Sequence, residues 1–151
     1  MLWGFWYYNG NVMESAKKPK ILLVEDNIIN QRVVVLTLKH LNFECDVASN
    51  GKEAFEKFCQ NEYDLIFMDI QMPVLNGLEA TKLIRNYEKS TGSEKPVLVI
   101  ALTANEPTEF SGMYLEAGMD DFIEKPLRIE QLSTYIGQLL NSRISETTST
   151  E

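Results

Sequence analysis

The chain has 151 residues, the size of one compact domain with short tails on a scale of about 100 to 200 residues per domain, which leaves little room for a second independent domain. Its 22 acidic against 14 basic residues give a formal net charge of −8, which opposes binding along a nucleic acid backbone. The 44% hydrophobic content is that of a globular chain, and no run of about 18 apolar residues is present to cross a bilayer. Cys45 and Cys59 form neither a CxxC nor a zinc-site spacing, so reduced structural thiols in a soluble cytoplasmic protein are the expectation.

In chain order, residues 1–12 (MLWGFWYYNGNV) hold both tryptophans and five of the fifteen aromatics without one charged side chain. They lack the basic start, long apolar stretch and small-residue cleavage site of a secretory signal. Met13 then opens the polar MESAKKPK, which reads like an ordinary cytosolic start. Residues 1–18 are therefore expected to be a disordered extension; an interfacial membrane anchor is the alternative for the aromatic stretch. ILLV (Ile21 to Val24), LIFM (Leu65 to Met68) and VLVIAL (Val97 to Leu102) are continuous branched apolar runs, as strands buried on both faces require. FECDVA alternates Phe43, Cys45 and Val47 with Glu44 and Asp46, and DFI near Phe122 is short; both suit sheet edges.

A helical pattern follows each strand. From Asn27 to Leu41 the Val33, Val34, Val35 run alone would suggest a strand, but length and the Ile29, Val33, Leu36 spacing predict a helix. Ala54, Phe55 and Phe58 mark the second. Asn76 with Glu79 forms a capping-box-like start for a third, with Ala80, Leu83, Ile84 and Tyr87 on one face. NEPTEFSGMY places Pro107 in a first turn and Gly112 in the interior of the fourth, predicting a short or mobile helix in which Phe110 and Tyr114 suit either the core or a partner-facing surface. Ile129, Leu132, Ile136 and Leu139 mark the last, and the polar tail 142–151 is expected to fray. Five strand-then-helix repeats over 19–141 predict one domain of the doubly wound α/β class, a parallel sheet with helices on both faces.

In such sheets the working groups lie beyond the carboxyl ends of the strands. ILLV runs into Glu25 and Asp26, LIFM into Asp69, VLVIAL into Thr103, and the strand at Phe122 and Ile123 into Lys125. Three carboxylates, a hydroxyl and an amine thus converge on one rim from four strands. Carboxylates so close cannot all stay ionised without a cation, so either a pKa rises or a metal binds, and a donor set of hard oxygens selects Mg²⁺ or Mn²⁺ as that metal. An acid pair after a strand can also serve as a helix N-cap, a role open to Asp26 or Asn27. A carboxylate such as Asp69 can attack phosphorus to form an acyl phosphate, with the cation and Lys125 neutralising phosphoryl oxygens and Thr103 giving a neutral hydrogen bond.

The motifs VEDN (Val24 to Asn27), MDIQMP (Met68 to Pro73) with NGLEAT behind it, ALTAN, and DDFIEKPL ending at Leu127 together resemble the receiver domain of two-component response regulators, over about four fifths of the chain. EDNIINQ, with QMP and AGMDD, is most similar to receivers attached to, or served by, hybrid histidine kinases. The resemblance implies a flavodoxin-like five-stranded sheet of order 2-1-3-4-5. It implies Asp69 as phosphoacceptor, Glu25, Asp26, Asp69 and the backbone carbonyl of Gln71 around Mg²⁺ (or Mn²⁺), and Thr103 and Lys125 on the phosphoryl group. Thr103 and Phe122 become the switch pair. A phosphohistidine donor, from a histidine kinase or a histidine phosphotransfer protein, would dock near Asn27, Ile28 and Pro126. A homodimer through the fourth helix, fifth strand and fifth helix is a further expectation, as is membership of a longer hybrid kinase as its C-terminal receiver. No enzyme activity beyond self-phosphorylation and dephosphorylation, no nucleic acid and no membrane partner are implied.

Phe122 departs from the Tyr that many members carry at the switch position, and so lacks a hydroxyl. Among rival readings, an aspartyl-phosphate phosphatase commonly needs a second acid two residues after the nucleophile, where this chain has Gln71. A flavin carrier would want a neutral phosphate cradle where this chain has Glu25, Asp26 and Asn27. His40, the single histidine, is expected to decorate the end of the first helix.

Overall fold

The structure, a computed structural model, describes residues 5–8, 11–14, 18–104 and 111–148. Near the amino terminus β1 (Phe5–Tyr8) pairs antiparallel with β2 (Asn11–Glu14), Phe5 opposite Glu14 and Tyr8 opposite Asn11. The sequence predicts an extension without regular structure there. The signal that reading passed over is Asn9-Gly10 between two runs rich in β-favouring residues, the dipeptide most favoured in short hairpin connections.

The remaining strands are β3 (Ile21–Val24), β4 (Cys45–Ala48), β5 (Leu65–Asp69), β6 (Leu98–Thr103) and β7 (Asp121–Glu124). The helices are α1 (Ile28–His40), α2 (Gly51–Gln60), α3 (Gly77–Thr91), α4 (Ser111–Ala117) and α5 (Ile129–Thr148). These five strands form one all-parallel sheet in the order β4-β3-β5-β6-β7, the 2-1-3-4-5 order that the sequence implies. β4 and β7 are its edges, as their short or alternating patterns predict.

The continuous apolar runs are explained by the two-residue period of a strand, which sends neighbours to opposite faces. Ile21, Leu23, Leu65 and Phe67 pack with Val34 and Leu38 of α1 and Leu132 and Ile136 of α5. Leu22, Val24, Ile66 and Met68 pack on the other face with Ala54 of α2, Ala80 and Ile84 of α3 and Tyr114 of α4. Burying both faces of a strand leaves no polar position within it, so polar groups are pushed to the strand ends.

The helix starts follow from capping. Asn27 accepts backbone N–H bonds from Ile29 at 2.9 Å and Asn30 at 3.1 Å, so it, and not Asp26, caps α1. Asn76 accepts from the Glu79 N–H at 2.9 Å, as predicted, and Asn50 accepts from Glu53 in the same way for α2. His40 is the last, exposed residue of α1.

The apolar face of α1 is not the one that suggested the helix. Ile29, Val33 and Leu36 are 72%, 54% and 65% exposed, whereas Val34 and Leu38 enter the core. The helix is apolar on two sides, so its periodicity reveals a helix without revealing which side is covered. Leu83 of α3 and Ile129 of α5, each on a predicted apolar face, are likewise exposed. Of the fourth helical segment, the described part is one short helix in which Tyr114 is buried; Pro107 and Phe110 lie outside the described residues. Both cysteines are free thiols, and burial, aided by Asp46, pushes that of Cys45 up to about 11.

Candidate functional site

Register brings the rim together. Val24 lies opposite Met68 and Asp69 opposite Leu102, so Glu25, one residue past β3, stands level with Asp69. Thr103 lies opposite Glu124, which puts Lys125 one residue past β7 on the same stepped edge. Three backbone bonds carry the ladders over the rim: Glu25 N–H to Ala48 C=O at 3.0 Å, Ile70 N–H to Leu102 C=O at 3.3 Å, and Lys125 N–H to Thr103 C=O at 2.7 Å. Gly77 follows from the same crowding, because a Cβ there would stand 2.1 Å from the Asp69 carbonyl oxygen.

The side chains meet in a cavity of about 390 Å³ whose lining includes Glu25, Asp26, Asn27, Asp69, Gln71, Thr103 and Lys125. Glu25, Asp69 and Thr103 are buried, while Asp26 and Asn27 are exposed at the mouth. Glu25, Asp26 and Asp69 each offer a carboxylate oxygen, and these oxygens lie within 4.8 Å of one another. Lys125 Nζ donates to Glu25 Oε2 at 2.8 Å and to Asp69 Oδ2 at 3.0 Å. The Gln71 N–H approaches Asp69 Oδ1 at 3.3 Å. The Lys125–Pro126 peptide is cis.

Burial holds the Asp69 carboxyl above its ordinary range and Glu25 adds to this, against the opposing pull of Lys125 and of the Gln71 N–H. Burial would lower Lys125, but its hydrogen bonds and charge contacts with Glu25 and Asp69 outweigh that and hold it above its usual value. One ammonium therefore faces three carboxylates, and the site favours a further cation.

Of the other predicted positions, Asn27, Ile28 and Pro126 are exposed along the rim, Ile28 at 63%. Phe122 is half-buried, its ring centroid 6.2 Å from that of Tyr114. Sequence reasoning missed the residues that position Glu25. Gln31 Nε2 donates to its backbone carbonyl at 2.6 Å and, at 3.3 Å, to Ser49 Oγ; Asn30 Nδ2 approaches its Oε1 at 3.4 Å. The signal was available in EDNIINQ, since residues just past a helix cap turn back toward the strand end. Leu78, Met113 and Tyr114, which also line the cavity, carry no such signal.

The response regulator receiver domain family matches residues 21–137. Hybrid signal transduction histidine kinase F of Dictyostelium discoideum is 40% identical over 123 residues, 82% of this chain but 11% of that kinase, so the chain spans about a tenth of that relative's length. Among solved structures, the complex of the Saccharomyces cerevisiae histidine phosphotransfer protein Ypd1 with the receiver domain of the response regulator Ssk1 aligns with a TM-score of 0.79 at 36% identity, covering 83% of this chain and 91% of that one. The receiver domain of sensor histidine kinase PA1611 of Pseudomonas aeruginosa, with a magnesium ion coordinated in its active-site cleft, aligns with a TM-score of 0.71 at 34% identity, covering 83% of this chain and 99% of that one. The family match takes in all five strands of the large sheet and every residue of the carboxylate rim, and the chain belongs to the response regulator receiver domain family.

Proposed function

We propose that the domain spanning 19–141 takes a phosphoryl group from a phosphohistidine donor onto Asp69, in a two-component phosphorelay. The observation that carries this is a buried Asp69 carboxylate held by Lys125 at the end of a central strand, with two further carboxylates beside it. An Asp69 oxygen forms the new P–O bond as the donor's P–N bond breaks, and the imidazole leaves with the electron pair and takes up a proton. No general base is needed, because the carboxylate attacks in its ionised form. Lys125 pairs with a phosphoryl oxygen and Thr103 offers a hydroxyl to another, so catalysis consists of positioning and charge neutralisation.

The hard-oxygen set of Glu25, Asp26, Asp69 and the Gln71 carbonyl fits Mg²⁺ or Mn²⁺. When bound, the ion neutralises phosphoryl oxygens that the three carboxylates would otherwise repel. The domain turns over no separate substrate and catalyses only its own phosphorylation and dephosphorylation; Gln71 stands where a dedicated phosphatase commonly has its second acid.

The donor is a histidine kinase or a histidine phosphotransfer protein seated over Asn27, Ile28 and Pro126. The exposed apolar stripe of Ile29, Val33 and Leu36 supports this, because it continues from Ile28 down α1 and suits an apolar helix face. Exposed Met113 and Leu115 on α4 favour a second contact, a homodimer through α4, β7 and α5. The free thiols agree with a cytoplasmic setting. The test is transfer of radiolabel from a phosphorylated phosphotransfer protein in Mg²⁺. Label appearing on this chain and absent from Asp69→Asn supports the reading, and label on both variants refutes it.

A further inference from the structure

We propose that Tyr114 carries the hydroxyl of the conformational switch, holding the phosphorylated state from α4 in place of the hydroxyl that Phe122 lacks. Tyr114 is only 6% exposed and packs against Phe122 with ring centroids 6.2 Å apart and planes at 52°. It lines the same cavity as Asp69, Thr103 and Lys125. Among the described residues its ring meets Phe122 and its carbonyl accepts from the Met119 N–H at 3.0 Å, but its hydroxyl has no protein hydrogen-bond partner.

A buried hydroxyl left without a partner is costly. At the wall of a cavity shared with Asp69, Thr103 and Lys125 it is satisfied by water or by whatever anion the cavity holds. A phosphoryl group on Asp69 supplies oxygen acceptors that the bare carboxylate does not extend into the cavity, so the Tyr114 O–H has a better partner, directly or through one water, in the phosphorylated state. Only such a difference between states can move a conformational equilibrium. Because Tyr114 sits between the exposed Met113 and Leu115, fixing its hydroxyl moves the outer surface of α4. The ring contact with Phe122 makes the two aromatics one unit, so a hydroxyl on either ring can serve.

The inference rests on Asp69 as the phosphoacceptor, and the experiment separates the two. Beryllofluoride, which occupies the phosphoryl position, is titrated in saturating Mg²⁺ into the full chain, Asp69→Asn, Tyr114→Phe, and the double variant Tyr114→Phe with Phe122→Tyr. Tyr114→Phe is expected to weaken beryllofluoride binding about three- to tenfold, the worth of one hydrogen bond, with Mg²⁺ affinity and unfolding midpoint unchanged. The double variant is expected to return within about twofold of the parent. Binding by Tyr114→Phe equal to the parent, a loss not restored in the double variant, or a loss accompanied by weaker Mg²⁺ binding or a lower midpoint overturns the role of the hydroxyl. A parent that does not bind beryllofluoride, or that binds it no better than Asp69→Asn, overturns the site itself, and the switch hydroxyl with it.

Discussion

Lys125 reaches past the end of β6 to donate a 3.0 Å hydrogen bond to Asp69, 56 residues earlier in the chain. The contact joins the edge strand to the central one and, among the described residues, gives the Asp69 carboxylate Lys125 as its cation inside an acidic rim. Its balance of charge decides how the site responds to protons, to partners and to substitution.

Asp69 is held above its ordinary value of 3.8, first by burial and then by Glu25. A folded-state value above the unfolded one means that this group's contribution to stability is fully present below about 3.8 and is lost as pH rises through the raised value. Asp69→Asn is neutral at every pH and keeps that contribution. In metal-free buffer its unfolding midpoint is expected to exceed the parent's at pH 7, with the gap closing as pH falls toward 4. A lower midpoint at pH 7 would show that the Lys125 contact outweighs burial.

Gly77 is expected to tolerate no side chain. Ala at this position would press on the Asp69 carbonyl, 2.1 Å from the added carbon, and the crowding should cost about 1–3 kcal/mol in a urea unfolding curve. Gly92, whose added carbon would meet nothing within 4 Å, is the comparison; its φ of +68° limits the cost there to backbone strain.

Ile28 is 63% exposed beside the cap of α1. Ile28→Glu is expected to slow transfer from a phosphorylated protein donor roughly tenfold while leaving a small-molecule phosphodonor unaffected, since an apolar interface anchor is worth about 1–2 kcal/mol and a small donor needs no interface. Equal slowing with both donors would place the defect in the carboxylate rim.

The three central strands were legible because burial on both faces leaves each as an unbroken apolar run, and that same burial pushes Glu25, Asp69 and Thr103 to their ends; Lys125 was legible from its place just after the short edge strand β7. The covered face of α1 was not. Ile29, Val33 and Leu36 repeat as regularly as the buried set around Val34 and Leu38, and only tertiary packing chooses between two apolar sides. Tyr114 is ambiguous in the sequence for the same reason: one aromatic in a short helix fits core or surface equally until β6 and β7 are in place. The ladder of β1 and β2 was hidden by a composition unlike the rest of the chain, which outweighed the Asn9-Gly10 signal.

Thr103 is buried at the end of β6, in the same cavity as Asp69. Thr103→Ala is expected to accept phosphate still, because Asp69 and Lys125 remain. Amide hydrogen exchange over Ser111–Glu124 should then differ less between the phosphorylated and free forms than in the parent. An undiminished difference would remove Thr103 from the switch.

The most direct measurement is intact mass after incubation with a small phosphodonor, with and without Mg²⁺, on the parent and on Asp69→Asn. The expected result is the mass of one phosphoryl group on the parent, only with Mg²⁺ present, and none on Asp69→Asn. Labelling of Asp69→Asn to the parent's extent, or labelling of the parent that is indifferent to Mg²⁺, would contradict it.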